Sequence, residues 1–292
     1  MTISSVTPPV PALELRELTL RYSEESAPAL DRVSITVQAG EVTWLFGALG
    51  AGYSSFLLAA AGLAPRHTGG VLSGAVSALG ADPQEAAGRA ALAGRIGYVT
   101  ASPGTQLSGV AATVWEEVAF APANLGWPIE RIRAAVPQAL EQLGVGRLSA
   151  RVPTSLSGGE LQRVVIAAML VLAPDLWLLD EPASALDRAG RLALAAVLRH
   201  EARRGAAVVI ASEDADAMLD LADRVLVLEA GAVVLDGAPA EILAGEAVWR
   251  HGAASTATAG VARAAAHLAE PLPPALGVPY PLTVETGVAR WQ

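Results

Sequence analysis

Short apolar strand patterns alternate with helical patterns along the second half of this sequence. In chain order the predicted elements are a helix at Leu161–Leu172, a strand at Leu176–Asp180, a helix at Arg188–Arg204, a strand at Ala207–Ala211, a short helix near Ala215–Leu221 and a strand at Val225–Leu228. Strands that are apolar throughout are typical of sheets buried on both faces. The alternation therefore predicts an α/β domain with a mostly parallel sheet.

The first part of the chain begins with β-structure. Apolar residues alternate along Leu13–Tyr22 and Leu30–Val37, which predicts two strands with one buried face. A shorter apolar strand, Glu41–Phe46, runs into a glycine-rich loop and then into a helical pattern at Ser54–Leu63. The order strand, glycine loop, helix is the first feature that indicates a ligand site.

Changes in pattern suggest further divisions of the chain. We predict a main domain over residues 1–243, with a mainly helical subdomain inserted at about 103–163. Residues 244–292 form a C-terminal extension that is first alanine-rich and then proline-rich. Its composition is compatible with a disordered tail, whereas Val278–Val288 carries enough apolar and aromatic residues to pack against another surface.

Composition excludes several classes of protein. The 292 residues carry a net charge of −9, which argues against a nucleic-acid partner. There is no cysteine, so disulfides and thiolate zinc sites are excluded. There is also no lysine, and all 20 basic residues are arginine. Apolar runs such as Val164–Leu172 fall far short of the about 20 residues that a spanning helix needs.

The glycine-rich loop has the spacing of a phosphate-binding P-loop except at one position. Its candidate nucleotide-binding residues are Gly47, Gly50, Gly52, Tyr53, Ser54 and Ser55. Backbone N–H groups of such a loop wrap phosphate oxygens, and the first serine can bind Mg²⁺. Tyr53 replaces the usual lysine, so the loop taken alone is more typical of a plain tight turn.

Two other segments carry candidate functional groups. Ser157 and Glu160 have the spacing of a helix capping box, which is also an ordinary structural feature. Gly158 and Gly159 between them each cost about 1 kcal/mol relative to alanine, so we expect a close backbone approach to a ligand there. The strand Leu176–Asp180 ends in Asp180 and Glu181, at the edge where ligands bind in parallel sheets.

These motifs together resemble the nucleotide-binding domain of ATP-binding cassette (ABC) transporters. LSGGE at 156–160, LLDEP at 178–182 and SALD at 184–187 occur in the family order, and the resemblance covers about residues 12–243. It implies a P-loop NTPase fold with a RecA-like parallel core, an antiparallel β-subdomain and an inserted helical subdomain.

The family's binding mode supplies the expected roles. It implies ATP with Mg²⁺ held by Ser54 and Asp180, and Glu181 acting on the attacking water. Two domains pair head to tail, so the signature residues Ser157, Gly158, Gly159 and Glu160, together with Asp187, act on the partner's nucleotide. Tyr22 matches the aromatic residue that stacks on adenine, although it is equally typical of a core aromatic at a strand end.

Other segments resemble the ATPases of energy-coupling factor (ECF) importers. They are Gln106–Leu107, Thr113–Pro128 and the tail sequence GVPYPLTVETGVAR. This resemblance implies a peripheral subunit at the cytoplasmic face of the membrane, with a C-terminal extension at 244–292 that helps two ATPases dimerise. Its expected partners are a second ABC ATPase, a transmembrane scaffold protein and a membrane subunit that binds the solute.

Three positions depart from the family pattern. Tyr53 stands in place of the phosphate-binding lysine, Ala101 in place of the Q-loop glutamine, and Glu213 in place of the switch histidine. A bias against lysine does not explain Tyr53, because arginine would have kept the positive charge. A cation about 4 Å from a phosphate charge contributes roughly 4 kcal/mol at an effective dielectric constant of 20.

The sequence therefore favours a heterodimer in which this chain donates its signature and leaves its own site silent. ATP hydrolysis is expected of the heterodimer, while Glu181 of this chain is expected to be silent. Its retention has no physical account in this hypothesis. The alternative is a non-catalytic ABC-fold scaffold or regulatory protein without a transport function.

Overall fold

Two separate sheets organise the part of the chain that the structure describes. The computed structural model describes residues 10–24 and 26–251, together with residues 256, 257, 259 and 283. A three-stranded antiparallel sheet is built from β1 (Leu13–Arg21), β2 (Leu30–Val37) and β4 (Val71–Ala78), in the order β2-β1-β4. The two predicted N-terminal strands are thus found within one residue of their expected ends.

The larger sheet has six strands and carries the glycine-rich loop. They are β3 (Val42–Gly47), β5 (Ile96–Val99), β6 (Leu176–Asp180), β7 (Ala207–Ala211), β8 (Arg224–Glu229) and β9 (Ala232–Gly237). The order is β5-β6-β7-β3-β8-β9, and every neighbouring pair is parallel except β8 with β9. Sequence patterns did not predict β4, β5 or β9.

Helices cover both faces of this sheet. They are α1 (Tyr53–Ala60), α2 (Ala86–Leu92), α3 (Val114–Asn124), α4 (Ile129–Gln142), α5 (Gly158–Leu170), α6 (Arg188–Arg203), α7 (Ala215–Met218), α8 (Pro239–Leu243) and α9 (Ala247–Arg250). Three predicted helices differ in extent: α1 ends three residues early, α5 begins three residues early because its cap is Ser157, and α7 is a single turn.

The sheet separates two apolar cores. Along β3, Trp44 and Phe46 pack with α6 and the helices α3, α4 and α5, whereas Leu45 packs with α1 and the antiparallel sheet. The alternation arises because successive side chains of a strand point to opposite faces. Every residue of β3, β6 and β7 is buried, so the ends of these strands are held rigidly where the candidate site lies.

Most of the C-terminal extension, including Val278–Val288 apart from Thr283, lies outside the described residues. Within the described part, Ala257 donates its N–H to the Asp216 carboxylate at 3.2 Å. No helix of the described residues is long and apolar enough to cross a bilayer.

Candidate functional site

The glycine-rich loop connects the carboxyl end of β3 to the start of α1, as the sequence predicts. Gly52 has a φ of 109°, and an added Cβ would lie 2.4 Å from the Ala29 carbonyl oxygen. A Cβ on Gly47 would lie 2.3 Å from the Leu228 carbonyl oxygen. No side chain caps the first turn of α1, so its backbone N–H groups, which have no partner inside the helix, remain available to an anion.

Tyr53 is the first residue of α1, and its phenol is committed to a carboxylate. The side chain is buried, and Oη donates a hydrogen bond to Oε1 of Glu213 at 2.7 Å. Burial, followed by the hydrogen bond and charge of Glu213, raises the pKa of Tyr53 well above its usual range. Tyr53 is therefore a neutral donor at physiological pH. Two of the three positions that depart from the family pattern, 160 residues apart in sequence, thus contact each other.

The segment that carries Glu213 also holds the Glu181 carboxylate. The backbone N–H of Glu213 donates to Oε1 of Glu181 at 2.8 Å, and Ser212 Oγ lies 3.4 Å from Oε2. Glu181 adopts a left-handed backbone conformation with a φ of 47°, which is uncommon for a residue other than glycine. Burial raises the pKa of Glu181, and the neighbouring carboxylates of Glu213 and Asp180 raise it further.

Asp180, the last residue of β6, has an unused oxygen. Its Oδ1 is buried without a hydrogen-bond partner among the described residues. Burial raises the pKa of Asp180, while a hydrogen bond from Ser54 lowers it. A buried carboxylate oxygen without a partner is costly, and a cation bound there would remove that cost. Asp180 and Ser54 together therefore fit the expected Mg²⁺ site.

These groups line one open cavity of about 620 Å³. Its described lining holds four carboxylates, those of Asp180, Glu181, Glu213 and Asp214, and a single guanidinium, that of Arg191. Arg191 is already engaged, because it pairs with Asp214 at 2.5 Å and donates to the Leu186 carbonyl oxygen at 3.2 Å. The cavity thus fits Mg²⁺ and a phosphate cradle, but its described lining offers no unpaired cation.

The Q-loop position opens into this cavity without offering it a polar side chain. Ala101 contributes to the lining. The nearby Gln106 does not compensate, because its amide is used locally. It accepts from the Thr100 N–H at 2.8 Å and donates to the Tyr98 carbonyl oxygen at 2.8 Å. Burial, followed by the charge of Asp180, raises the pKa of Tyr98 to about 12.

Tyr22 lies beyond the end of β1 and is not a core residue. Its side chain is 40% exposed, and Oη lies 2.9 Å from Ser55 Oγ, within hydrogen-bond distance. The ring is therefore available to an external planar group, and the core-aromatic alternative is wrong. The hydroxyl of Ser55 is occupied by this contact.

The signature segment begins α5 with the predicted capping box. Ser157 Oγ accepts from the Glu160 N–H, and the Glu160 carboxylate accepts from the Ser157 N–H at 3.1 Å. The hydrogen bonds that the Glu160 carboxylate accepts from the Ser157 N–H and the Ser157 hydroxyl lower the pKa of Glu160, and Arg151 and Arg147 lower it further. The two arginines lie 3.9 and 3.4 Å from the carboxylate and were not singled out from the sequence.

The two signature glycines differ in their surroundings. A Cβ on Gly159 would lie 2.7 Å from the Ala185 carbonyl oxygen, whereas at Gly158 the nearest atom is 4.0 Å away. The close approach expected at Gly159 is thus made by the chain's own backbone, and Gly158 is exposed. Asp187 caps α6 by accepting from the Gly190 N–H at 2.8 Å. None of residues 157–160 or 187 lines the cavity.

The structure therefore brings together Tyr53, Ser54, Ala101, Asp180, Glu181 and Glu213, and it places the signature elsewhere on the surface. Ser212, Asp214 and Arg191 also belong to the cavity but were not predicted. Asp214 follows Glu213 directly, which could have suggested it. Nothing in the local pattern distinguishes Arg191 from the other arginines of α6.

The strand, glycine loop and helix, with a carboxylate ending the neighbouring strand, define a P-loop nucleotide-binding domain. The family model described as "ABC transporter" matches residues 30–184, and the chain belongs to this family. Proteins of this family bind ATP, typically with Mg²⁺.

Individual relatives are consistent with this membership. The nickel import ATP-binding protein NikO of Rhodobacter capsulatus is 40% identical over 248 residues, which cover 82% of this chain and 94% of that protein. The energy-coupling factor transporter ATP-binding protein EcfA2 of Methanospirillum hungatei is 35% identical over 79% of this chain, but the match spans only 56% of that protein. Among solved structures, cbiO1 from Clostridium perfringens, described as part of the ABC transporter complex cbiONQ, is 30% identical with a TM-score of 0.70, covering 82% of this chain and 93% of that one.

Proposed function

We propose that this chain is the ATP-binding subunit of an ECF-type importer and pairs with a second, catalytically competent ABC ATPase. In this heterodimer the chain supplies its signature to the partner's nucleotide, and its own P-loop site does not hydrolyse ATP. The hydrogen bond from Tyr53 to Glu213 carries this proposal. It commits the group at the lysine position to a carboxylate of the same chain.

The relatives support the importer assignment by their names. One is named for nickel import and another for an energy-coupling factor transporter, and a structural neighbour is described as part of a transporter complex. By analogy, we place this chain at the membrane surface with a transmembrane scaffold and a solute-binding membrane subunit. The solute is selected by that separate subunit.

The chemistry of the cavity explains why its own site would be silent. Mg²⁺, when bound, would neutralise phosphate charge, and Ser54 and Asp180 are the residues placed to hold it. Hydrolysis also needs positive groups at the last phosphate. Tyr53 is a neutral phenol there, and Glu213 adds a negative charge where the family has a histidine. Losing one cation contact worth about 4 kcal/mol corresponds to a roughly thousandfold loss of affinity or rate.

The hydrogen bonds that hold the Glu181 carboxylate are not ones that hydrolysis requires. Its two carboxylate oxygens face the Glu213 N–H and the Ser212 hydroxyl. These contacts tie the segment after β7 to the end of β6. We therefore assign Glu181 a structural role in this chain, which accounts for its retention in a silent site.

The signature segment, residues 156–160, retains the features needed to contact a partner's nucleotide. Ser157 and Gly158 are exposed at the uncovered start of α5, where the helix dipole favours an anion. Glu160 supports this start through the capping box rather than by facing a ligand. Asp187 holds the start of α6 next to the signature, so we propose that it positions the SALD turn at the interface.

Turnover by the purified heterodimer tests this assignment. Ser157→Arg should abolish ATP hydrolysis, because a large cation at the start of α5 blocks the partner's nucleotide. Thr154→Arg adds the same side chain three residues earlier, at an exposed position outside the signature, and should retain activity. Glu181→Gln should reduce turnover less than threefold.

Two results would contradict the proposal. Equal losses from Ser157→Arg and Glu181→Gln would show that both sites turn over. Hydrolysis at ordinary rates by this chain alone would show that its own site is competent. Recovery as an inert homodimer, without a second ATPase or membrane subunits, would favour the scaffold alternative.

A further inference from the structure

The cavity keeps the part of a P-loop that holds the first phosphates of a nucleotide. The glycine conformations, the uncapped start of α1 and the unpartnered Asp180 Oδ1 are all present. In P-loops the backbone N–H groups cradle the α- and β-phosphates, whereas the lysine reaches the β- and γ-phosphates. With Tyr53 in place of the lysine, the β-phosphate keeps the backbone N–H groups, but the γ-phosphate, at the outer end of the ligand, loses its cationic side chain.

That outer end faces negative charge in this chain. The Tyr53 hydroxyl already donates to Glu213, and the Glu213 N–H already donates to Glu181. A third phosphate placed there would meet the Glu213 and Glu181 carboxylates, and no unpaired cationic side chain of the described lining would offset that repulsion. Arg191, the guanidinium in the described lining, is paired with Asp214.

From this arrangement we propose that the cavity selects a nucleoside diphosphate over a triphosphate, and that Glu213 is the residue that imposes the selection. The inference rests on the proposed function in taking the glycine loop as a nucleotide site. Within the proposed heterodimer it implies that this chain's site holds a diphosphate while the partner's site turns over.

Calorimetric titration of the full-length chain with Mg·ADP and Mg·ATP tests the proposal. ADP is expected to bind at least about tenfold more tightly than ATP, which corresponds to about 1.4 kcal/mol. Glu213→Gln keeps an oxygen that accepts from Tyr53 but removes the charge. It should bring the two affinities within about threefold of each other by strengthening ATP binding and leaving ADP binding unchanged.

Two further variants separate selection by Glu213 from general effects of charge or folding. Glu130→Gln removes the same charge from an exposed position on α4 and should preserve the tenfold preference. Tyr53→Phe removes the hydroxyl that is bonded to Glu213 and leaves the carboxylate facing the ligand, so the preference for ADP should persist or increase.

Several outcomes would overturn the inference. They are equal affinities in the unchanged protein, no binding of either nucleotide, an unchanged ratio in Glu213→Gln, and a gain in ATP affinity in Tyr53→Phe. Weakened ATP binding in Arg191→Gln, together with equal affinities in the parent, would show that Arg191 replaces the missing lysine. None of these results bears on the turnover assay with Ser157→Arg, so the inference and the proposed function can fail independently.

Discussion

A lysine introduced at position 53 should strengthen ATP binding substantially only when Glu213 is also replaced. A lysine there would place its ammonium near the site of the Tyr53 hydroxyl, which now lies 2.7 Å from Glu213 Oε1. At about 4 Å and an effective dielectric constant of 20, the ammonium gains roughly 4 kcal/mol from the carboxylate and a similar amount from a phosphate charge. Binding ATP would then exchange one contact for another, so Tyr53→Lys alone should strengthen ATP binding less than about threefold.

In the Glu213→Gln background the same lysine has no carboxylate at that position. The gain in ATP affinity of the double variant should therefore exceed the product of the gains of the two single variants by at least about tenfold. This corresponds to a coupling free energy of about 1.4 kcal/mol. The assay is calorimetric titration of all four proteins with Mg·ATP. The matched cycle that combines Tyr53→Lys with Glu130→Gln should be additive within about 0.5 kcal/mol. If the cycle with Glu213→Gln is equally additive, the two positions do not act as a unit and the argument is refuted.

Three further predictions concern the signature, Asp180 and Tyr22. Gly159→Ala should lower the free energy of unfolding by about 1–3 kcal/mol, because its Cβ would clash with Ala185. Gly158→Ala, at the open neighbouring position, should leave the free energy of unfolding unchanged or raise it. Chemical denaturation measures both variants. Burial raises the pKa of Asp180, so the folded state binds a proton at this carboxylate more tightly than the unfolded state does. The contribution of Asp180 to the free energy of unfolding therefore falls as pH rises above about 4. Asp180→Asn should therefore be more stable than the parent at pH 7 but not at pH 4 in denaturant titrations, and the reverse order would contradict the assigned shift. Tyr22→Ala should weaken Mg·ADP binding about tenfold through lost stacking. Tyr22→Phe loses only the hydrogen bond to Ser55 and should bind Mg·ADP nearly as well as the parent. Equal losses in the two variants would assign the effect to the hydroxyl.

Contacts within this chain connect its own cavity to the signature segment. The segment 212–214 contacts Tyr53, Glu181 and Arg191. Arg191 in turn contacts Leu186 of the SALD turn, and Ala185 of that turn abuts Gly159 of the signature. A continuous set of contacts thus links the chain's own cavity to the surface that we propose it offers to its partner.

Local patterns were sufficient for the framework of the site. The apolar strand run, the glycine loop and the capping box are patterns of neighbouring residues, so they predicted β3, α1 and the Ser157 cap of α5. The strands β4, β5 and β9 were missed because they lack such patterns. β4 is largely exposed, β5 has only four residues, and β9 is an antiparallel edge strand whose residues are half-buried.

The sequence by itself determined that the chain carries a phosphate-binding loop without a lysine, together with an intact signature segment. Only the tertiary structure decided that Tyr53 and Glu213 bond to each other, that Arg191 is occupied by Asp214, and that Gly159 is required by Ala185. The physical reason is that these contacts join residues brought together at the ends of neighbouring strands and turns. Their distances depend on how the whole sheet packs, which no local spacing encodes.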